Sequence, residues 1–177
     1  MTQKYVLTGS SYSGKTSVIK ALAMQQFATV PEAATLIISE QLAAGGNLLP
    51  WIDLDGFLDV LIEKQRELEA QIPAGSEIAF IDRGIPDELA YFKFRGIEPT
   101  QIYKKAFKEH RYDNKVFLLE RLPGYKQDKI RKEPLEMVQR LRVLHEEAYK
   151  ELGYEVIVVP LLSIEERMKF VLERIWP

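Results

Sequence analysis

The chain contains no cysteine. Disulfides and thiolate-held metals are therefore excluded, and a reducing compartment suits it without being required. Histidine is scarce too, with only His110 and His145. Each falls in a helical stretch far from the other motifs, with no second ligand at metal spacing, so both are expected to be structural. No apolar run approaches the ~18 residues of a membrane span. No charged segment followed by an apolar one precedes the first strand, so no secretory signal is visible and a cytoplasmic protein without a membrane partner is expected. Positive charge is not in excess. The 24 Lys and Arg stand against 26 Asp and Glu, which leaves −2 and gives no global basic field to invite nucleic acid. Repeats, low-complexity stretches and linkers are missing as well. A composition of 46% hydrophobic and 28% charged over 177 residues suits one globular domain, residues 1–177. It specifies no oligomeric state.

What is present is Gly9-Ser10-Ser11-Tyr12-Ser13-Gly14-Lys15-Thr16, which fits G-x-x-x-x-G-K-[ST], the phosphate-binding P-loop. Its glycines let the backbone turn tightly and approach a phosphate with no Cβ between them. The loop, continued by Ser17, aims N–H groups inward as an anion nest. Lys15 is placed to reach the β- and γ-phosphates of ATP, and the Thr16 hydroxyl to bind Mg²⁺. Tyr5 to Thr8 reads as a short buried strand. Ser17 to Phe27 reads as a helix, with Val18, Leu22 and the pair Ala21/Ala23 near its inner face. The positive end of that helix would lie under the phosphates.

The same alternation continues. Ala28 to Pro31 predicts a second strand, and Ala33 to Ala44 a helix stopped by Gly45-Gly46. Leu54 to Ile72 carries apolar residues at 3.6-residue spacing. Ile78 to Ile81 is a continuous apolar run that suits a buried parallel strand ending at Asp82. Helices are expected over Glu88 to Phe94, Pro99 to His110 and Pro134 to Leu152, and strands over Lys115 to Leu119 and Glu155 to Val159. Ser163 and Glu166 form a capping box for the last helix. Strands alternating with helices five times predict an α/β fold: a three-layer sandwich around a five-stranded parallel sheet with right-handed crossovers. Ligands of such sheets bind at the carboxyl ends of the strands, which gathers Thr8-Gly9, Pro31-Glu32, Asp82-Arg83 and Glu120-Arg121 on one edge.

Each strand end admits two readings. Asp82 is either the acid that holds Mg²⁺ together with Thr16 or an N-cap after a strand. Arg83 either grips a second substrate or pairs with Asp87. Glu32 either binds an acceptor hydroxyl or acts as base, or is a first-turn helix residue. Asp87 stabilises the start of its helix. Trp51 and Tyr91 either line a substrate pocket or belong to the core. The basic stretch within 121–133, with Lys126, Asp128, Lys129, Arg131 and Lys132, is either a lid over the phosphates or a solvated loop.

Taken together, Gly9 to Thr16, Val30-Pro31-Glu32, Ile81-Asp82-Arg83-Gly84 with Asp87, and Asp128-Lys129-Ile130-Arg131 resemble the kinase-like P-loop ATPases often labelled AAA domain proteins. So does the tail from Leu152 to Pro160 with Glu165-Glu166-Arg167, and the resemblance spans nearly the whole chain. It extends to ribosylnicotinamide kinase domains and, more distantly, to thymidylate- and deoxynucleoside-kinase-like proteins. The resemblance implies an ATP- and Mg²⁺-dependent kinase acting on a small molecule such as a nucleoside, nucleotide or riboside. Lys15, Asp82, Arg83, Arg131 and Glu32 would be its working residues, with Asp128 beside the nucleotide. The alternative is a nucleotide-dependent switch that binds a partner. The Asn-Lys-x-Asp signature of guanine-specific switches is incomplete, because Asn114-Lys115-Val116-Phe117 lacks the Asp.

Overall fold

The computed structural model describes residues 2–109, 112–123 and 134–176. Five strands form one parallel sheet: β1 (Gln3–Thr8), β2 (Ala28–Val30), β3 (Ile78–Asp82), β4 (Lys115–Leu119) and β5 (Glu155–Val159), in the order β2-β3-β1-β4-β5. The connecting helices are α1 (Lys15–Met24), α2 (Ala33–Ala44), α3 (Leu54–Ala70), α4 (Asp87–Arg95), α5 (Gln101–Glu109), α6 (Leu135–Glu151) and α7 (Ile164–Ile175). The predicted α/β class is the observed one.

The period-two geometry of a strand sorts β1 between two layers. Tyr5 and Leu7 join Val18, Ile19 and Leu22 of α1 and Val171 and Ile175 of α7 on one face. Val6 points to the other, with Val30, Ala79, Ile81, Val116 and Tyr149. A larger apolar body beside that second face packs α2, α3, α4 and α5 against α6 through Ile37, Phe57, Leu61, Phe92, Tyr103 and Leu141. Because β1 is central, the chain leaving Thr8 emerges between the ends of β3 and β4. Leu7 is opposite Asp82 and Thr8 opposite Leu118, so the loop after β1 and the turn after β3 meet.

Several boundaries move. Helix α1 begins at Lys15 and stops at Met24, and Ala23 is exposed, not inward. Its buried stripe is Val18, Ile19 and Leu22. The second strand ends at Val30, before Pro31. Helix α4 takes in Asp87, and α5 starts at Gln101, after the proline. The Ser163–Glu166 capping box forms as expected. His110 and the stretch carrying Asp128 and Arg131 lie outside the described residues.

Candidate functional site

The loop from Gly9 to Thr16 closes around its own lysine. Gly9 has φ +136°, and a Cβ there would lie 2.7 Å from the Leu119 carbonyl oxygen, so the loop can hug β4 only with glycine. Gly14, at φ +81°, is the N-cap of α1. The buried Lys15 ammonium donates to the carbonyls of Gly9 (3.0 Å) and Ser10 (3.2 Å) and to Ser13 Oγ (3.3 Å). Burial, with the Arg83 charge nearby, pulls its pKa down to about 8 against the opposing pull of Asp82, Glu32 and Asp87. From α7, buried Arg167 supports the loop, donating to the carbonyls of Ser13 (2.6 Å) and Glu120 (3.2 Å). Sequence reasoning assigned Arg167 no role, because its target is a backbone oxygen 154 positions away.

Thr16 Oγ1 donates to Asp82 Oδ2 at 2.8 Å. The other Asp82 oxygen, Oδ1, is buried and has no hydrogen-bond partner among the described residues. Burial and the nearby Glu32 charge push this carboxyl up to about 6. An orphaned carboxylate oxygen beside a threonine hydroxyl is a donor set that fits Mg²⁺, which takes one or two protein oxygens and fills the rest of its octahedron with water and phosphate. No cluster of three or more His, Cys, Asp or Glu suited to a metal occurs among the described residues. A dedicated all-protein cage is therefore not what these residues build.

Arg83 sits at φ +66°, a left-handed conformation that costs a non-glycine residue about 1–3 kcal/mol. The turn is held from several sides. The Arg83 N–H donates to Leu7 O (3.1 Å), Gly84 N–H to Asp87 Oδ2 (3.0 Å), Ile85 N–H to the Tyr112 hydroxyl (3.1 Å), and Gln65 Nε2 to Arg83 O (3.4 Å). Glu69 anchors that support by accepting from Tyr112 (2.8 Å), Gln65 (2.9 Å) and Lys4 (2.8 Å). The Arg83 guanidinium is committed along two edges. Nε donates to Glu32 (2.7 Å), and one terminal nitrogen donates to Asp87 (3.0 Å) and to His145 Nε2 (2.9 Å). The Arg83–Asp87 pair anticipated from sequence is therefore present, with Glu32 added. Glu32 also accepts from Thr35 (2.9 Å). Burial would raise its pKa, but the charges of Arg83 and Lys15 and its hydrogen bonds hold it below the usual range.

Two expectations are corrected here. His145 is not remote from the motifs; it is buried against Arg83 and lies 3.3 Å from Asp87. Its Nδ1–H donates to the Leu141 carbonyl at 2.6 Å, which leaves Nε2 as the acceptor for Arg83. Burial lowers its pKa to about 3, so the ring is neutral. Asp87 is more than a helix-start acid. It is fully buried and also accepts from Thr8 (2.6 Å) and the Tyr149 hydroxyl. Burial works against its charge, but its charged neighbours and hydrogen bonds keep its pKa below the ordinary value.

A cavity of about 440 Å³ joins these groups. Ser11 to Ser17 line one end; Glu32 and Arg83 lie on its wall. Trp51, Phe57, Leu61, Tyr91 and Phe92 supply an aromatic and aliphatic lining, and Leu122 and Pro134 also border it. Trp51 and Tyr91 thus take the pocket-lining reading. Glu88 and Arg95 of α4 line the cavity too, and neither was singled out from sequence. By contrast, Lys115 begins β4 at the opposite edge of the sheet and donates to the Arg174 carbonyl (2.7 Å), so the incomplete Asn114-Lys115 signature has no place here.

A family model described as AAA domain matches residues 4–167. No curated protein matches the chain. Among solved structures, the chain is similar to a thymidylate kinase from Ehrlichia chaffeensis, with 18% identity, 98% of each chain covered and a TM-score of 0.68. It is similar to a NadR protein in complex with NR, with 16% identity, 97% of this chain and 50% of that one covered, and a TM-score of 0.73, so it spans about half of that protein. It is also similar to a deoxyadenosine kinase from M. mycoides, with 15% identity, 98% of each chain covered and a TM-score of 0.68. At such identities these structures speak to the fold. No helix among the described residues is long and apolar enough to cross a membrane.

Proposed function

The chain belongs to the AAA domain family of kinase-like P-loop proteins, and from that premise we propose that it is an ATP-dependent phosphotransferase acting on the hydroxyl of a small molecule such as a nucleoside, nucleotide or riboside. We read residues 1–177 as one P-loop domain working in the cytoplasm. The observation that carries the reading is the two-ended cavity. Lys15 and the Thr16–Asp82 pair stand at the phosphate end, and the same space continues along a wall of Trp51, Phe57, Tyr91 and Phe92 that ATP phosphates cannot use. That second compartment offers room for an acceptor beside the phosphates.

Phosphoryl transfer asks a protein mainly for positioning and charge stabilisation. The loop amides from Gly9 to Ser17 and Lys15 hold the triphosphate, with Lys15 exchanging its loop carbonyls for phosphate oxygens. Thr16 and Asp82 hold Mg²⁺, which supplies charge neutralisation at the transferring phosphoryl group. Arg83 and Glu32, both on the cavity wall, orient the acceptor, with Nε and one terminal nitrogen of Arg83 fixed by protein. By the family resemblance, Arg131 acts on the charge that develops during transfer. The apolar wall excludes water and so limits futile hydrolysis. The test is ATP consumption by the purified protein with Mg²⁺ across a panel of nucleosides, nucleoside monophosphates and ribosides. At least one acceptor raises consumption well above the acceptor-free rate. If none does, a nucleotide-dependent switch replaces the kinase.

A further inference from the structure

A charged side chain from outside the motif holds the P-loop from behind. Arg167 leaves the first turn of α7, where the Ser163–Glu166 capping box fixes the helix end and the Arg167 N–H donates to Ser163 O at 2.9 Å. Val171 and Ile175 of the same helix pack against Val18, Ile19 and Leu22 of α1, so the side chain starts from a fixed frame. Its guanidinium is buried. One terminal nitrogen donates to Ser13 O at 2.6 Å and the other to Glu120 O at 3.2 Å. Among the described residues Arg167 forms no ion pair, and its Nε has no partner. The Glu120 carboxylate is engaged by Arg142 instead, at 3.2 Å. Two carbonyls compensate poorly for burying a charge, so stability alone does not account for Arg167.

A trans peptide is flat, so its C=O and N–H point in opposite directions. Holding Ser13 O toward α7 therefore aims the Gly14 N–H away from α7, toward the cavity that Ser13 and Gly14 line. The preceding peptide is held alike: the Leu122 N–H donates to Tyr12 O at 2.9 Å, which aims the Ser13 N–H the other way. Neither the Ser13 nor the Gly14 N–H bonds to a described residue, so both donors are left for a phosphate. Gly14, at φ +81°, tolerates backbone angles that other residues do not, so without a clamp the Ser13–Gly14 plane is free to turn over. Turned over, it would present a carbonyl oxygen to the phosphates.

We propose that Arg167 is a positioning residue for phosphate binding: it locks the Ser13–Gly14 peptide with its N–H toward the triphosphate and sets a fixed positive charge behind the loop. This rests on the phosphotransferase reading and adds a residue outside the loop motif on which its nucleotide binding depends. Removing the guanidinium orphans a buried carbonyl, which the loop relieves by turning the plane. Nucleotide must then turn it back, and its affinity falls by what the orphaned carbonyl would cost.

The test compares the wild-type protein with Arg167→Met, which keeps an apolar stem and no donor, and Arg167→Lys, which can hold one carbonyl but not span both. A non-hydrolysable ATP analogue with Mg²⁺ is titrated calorimetrically into each, with no acceptor present. Arg167→Met is expected to bind it about tenfold or more weakly, and Arg167→Lys to recover part of that loss. In NMR spectra of the isotope-labelled variants without nucleotide, the Gly14 amide resonance should shift or broaden relative to wild type, and the analogue should bring it back. A loss below about threefold in Arg167→Met, or a Gly14 resonance that neither substitution moves, overturns the proposal. So does Arg167→Lys binding no better than Arg167→Met, which would make the side chain a general support of the fold. Should Arg167→Met not fold, Arg167→Lys decides alone: weaker binding with a moved Gly14 resonance sustains the proposal, and wild-type affinity ends it. Failure of the wild-type protein to bind the analogue would overturn the phosphotransferase reading as well, whereas wild-type binding that Arg167→Met leaves intact removes the clamp alone.

Discussion

Asp87→Asn isolates the buried network that fixes Arg83. The carboxylate accepts from Thr8 (2.6 Å), the Arg83 guanidinium (3.0 Å), the Gly84 N–H (3.0 Å) and the Tyr149 hydroxyl. Asparagine keeps the shape but offers one acceptor oxygen. If that oxygen stays with Thr8 and Arg83, the amide nitrogen faces Tyr149 and the Gly84 N–H. Tyr149 can rotate to accept; the Gly84 N–H cannot, and an orphaned buried donor costs about 1–3 kcal/mol. Breaking a buried ion pair costs about 3–5 kcal/mol, but Arg83 retains Glu32, which favours the lower end. The expected loss is about 3 kcal/mol, measurable by urea unfolding near neutral pH, with the protein still folded because domains hold about 5–15 kcal/mol. The pH dependence supplies a second check. Asp87 has a depressed folded pKa, so its contribution is present above its unfolded value, about 4, and is lost as pH falls through the folded value. The gap between wild type and variant should therefore hold steady above about pH 5 and close in stronger acid. A loss under about 1 kcal/mol, or a gap indifferent to acid, would refute the view of Asp87 as an ionised hub.

Two further outcomes follow from the phosphate end. Asp82→Asn should raise the Mg²⁺ concentration needed for half-maximal activity by about tenfold or more, since a neutral amide is a poor partner for a hard cation; an unchanged Mg²⁺ titration would reduce Asp82 to a partner of Thr16. With the Lys15 pKa near 8 in the free protein, ATP affinity should weaken as pH rises through about 8, and equilibrium titration should find this dependence absent in Lys15→Met.

The sequence was most informative where one local rule suffices. The P-loop is a contiguous pattern, and the apolar run from Ile78 to Ile81 delivers Asp82 and Arg83 to a strand end without any knowledge of the fold. Ser163 and Glu166 cap α7 for similarly local reasons. The missed features depend on contacts across the chain. His145 looked like an ordinary helix-face residue because its partner, Arg83, is 62 positions away. Asp87 looked like a first-turn acid until Thr8 and Tyr149, on β1 and α6, closed over it. Glu88 carried no motif at all; its place on the cavity follows from how α4 packs against α6. Ala23 illustrates the opposite error, an apolar residue assigned inward by type when the one-sided burial of α1 leaves it exposed.

The central claim is transfer, as distinct from hydrolysis, and its most direct measurement is the stoichiometry of products. Phosphorus NMR of ATP, Mg²⁺ and the acceptor that most raises ATP consumption should show ADP appearing one for one with a new phosphate ester. Free phosphate should stay a minor product, and Lys15→Ala should form neither ADP nor ester at a measurable rate. ADP matched by free phosphate with every acceptor, or ester formation undiminished in Lys15→Ala, would contradict the account.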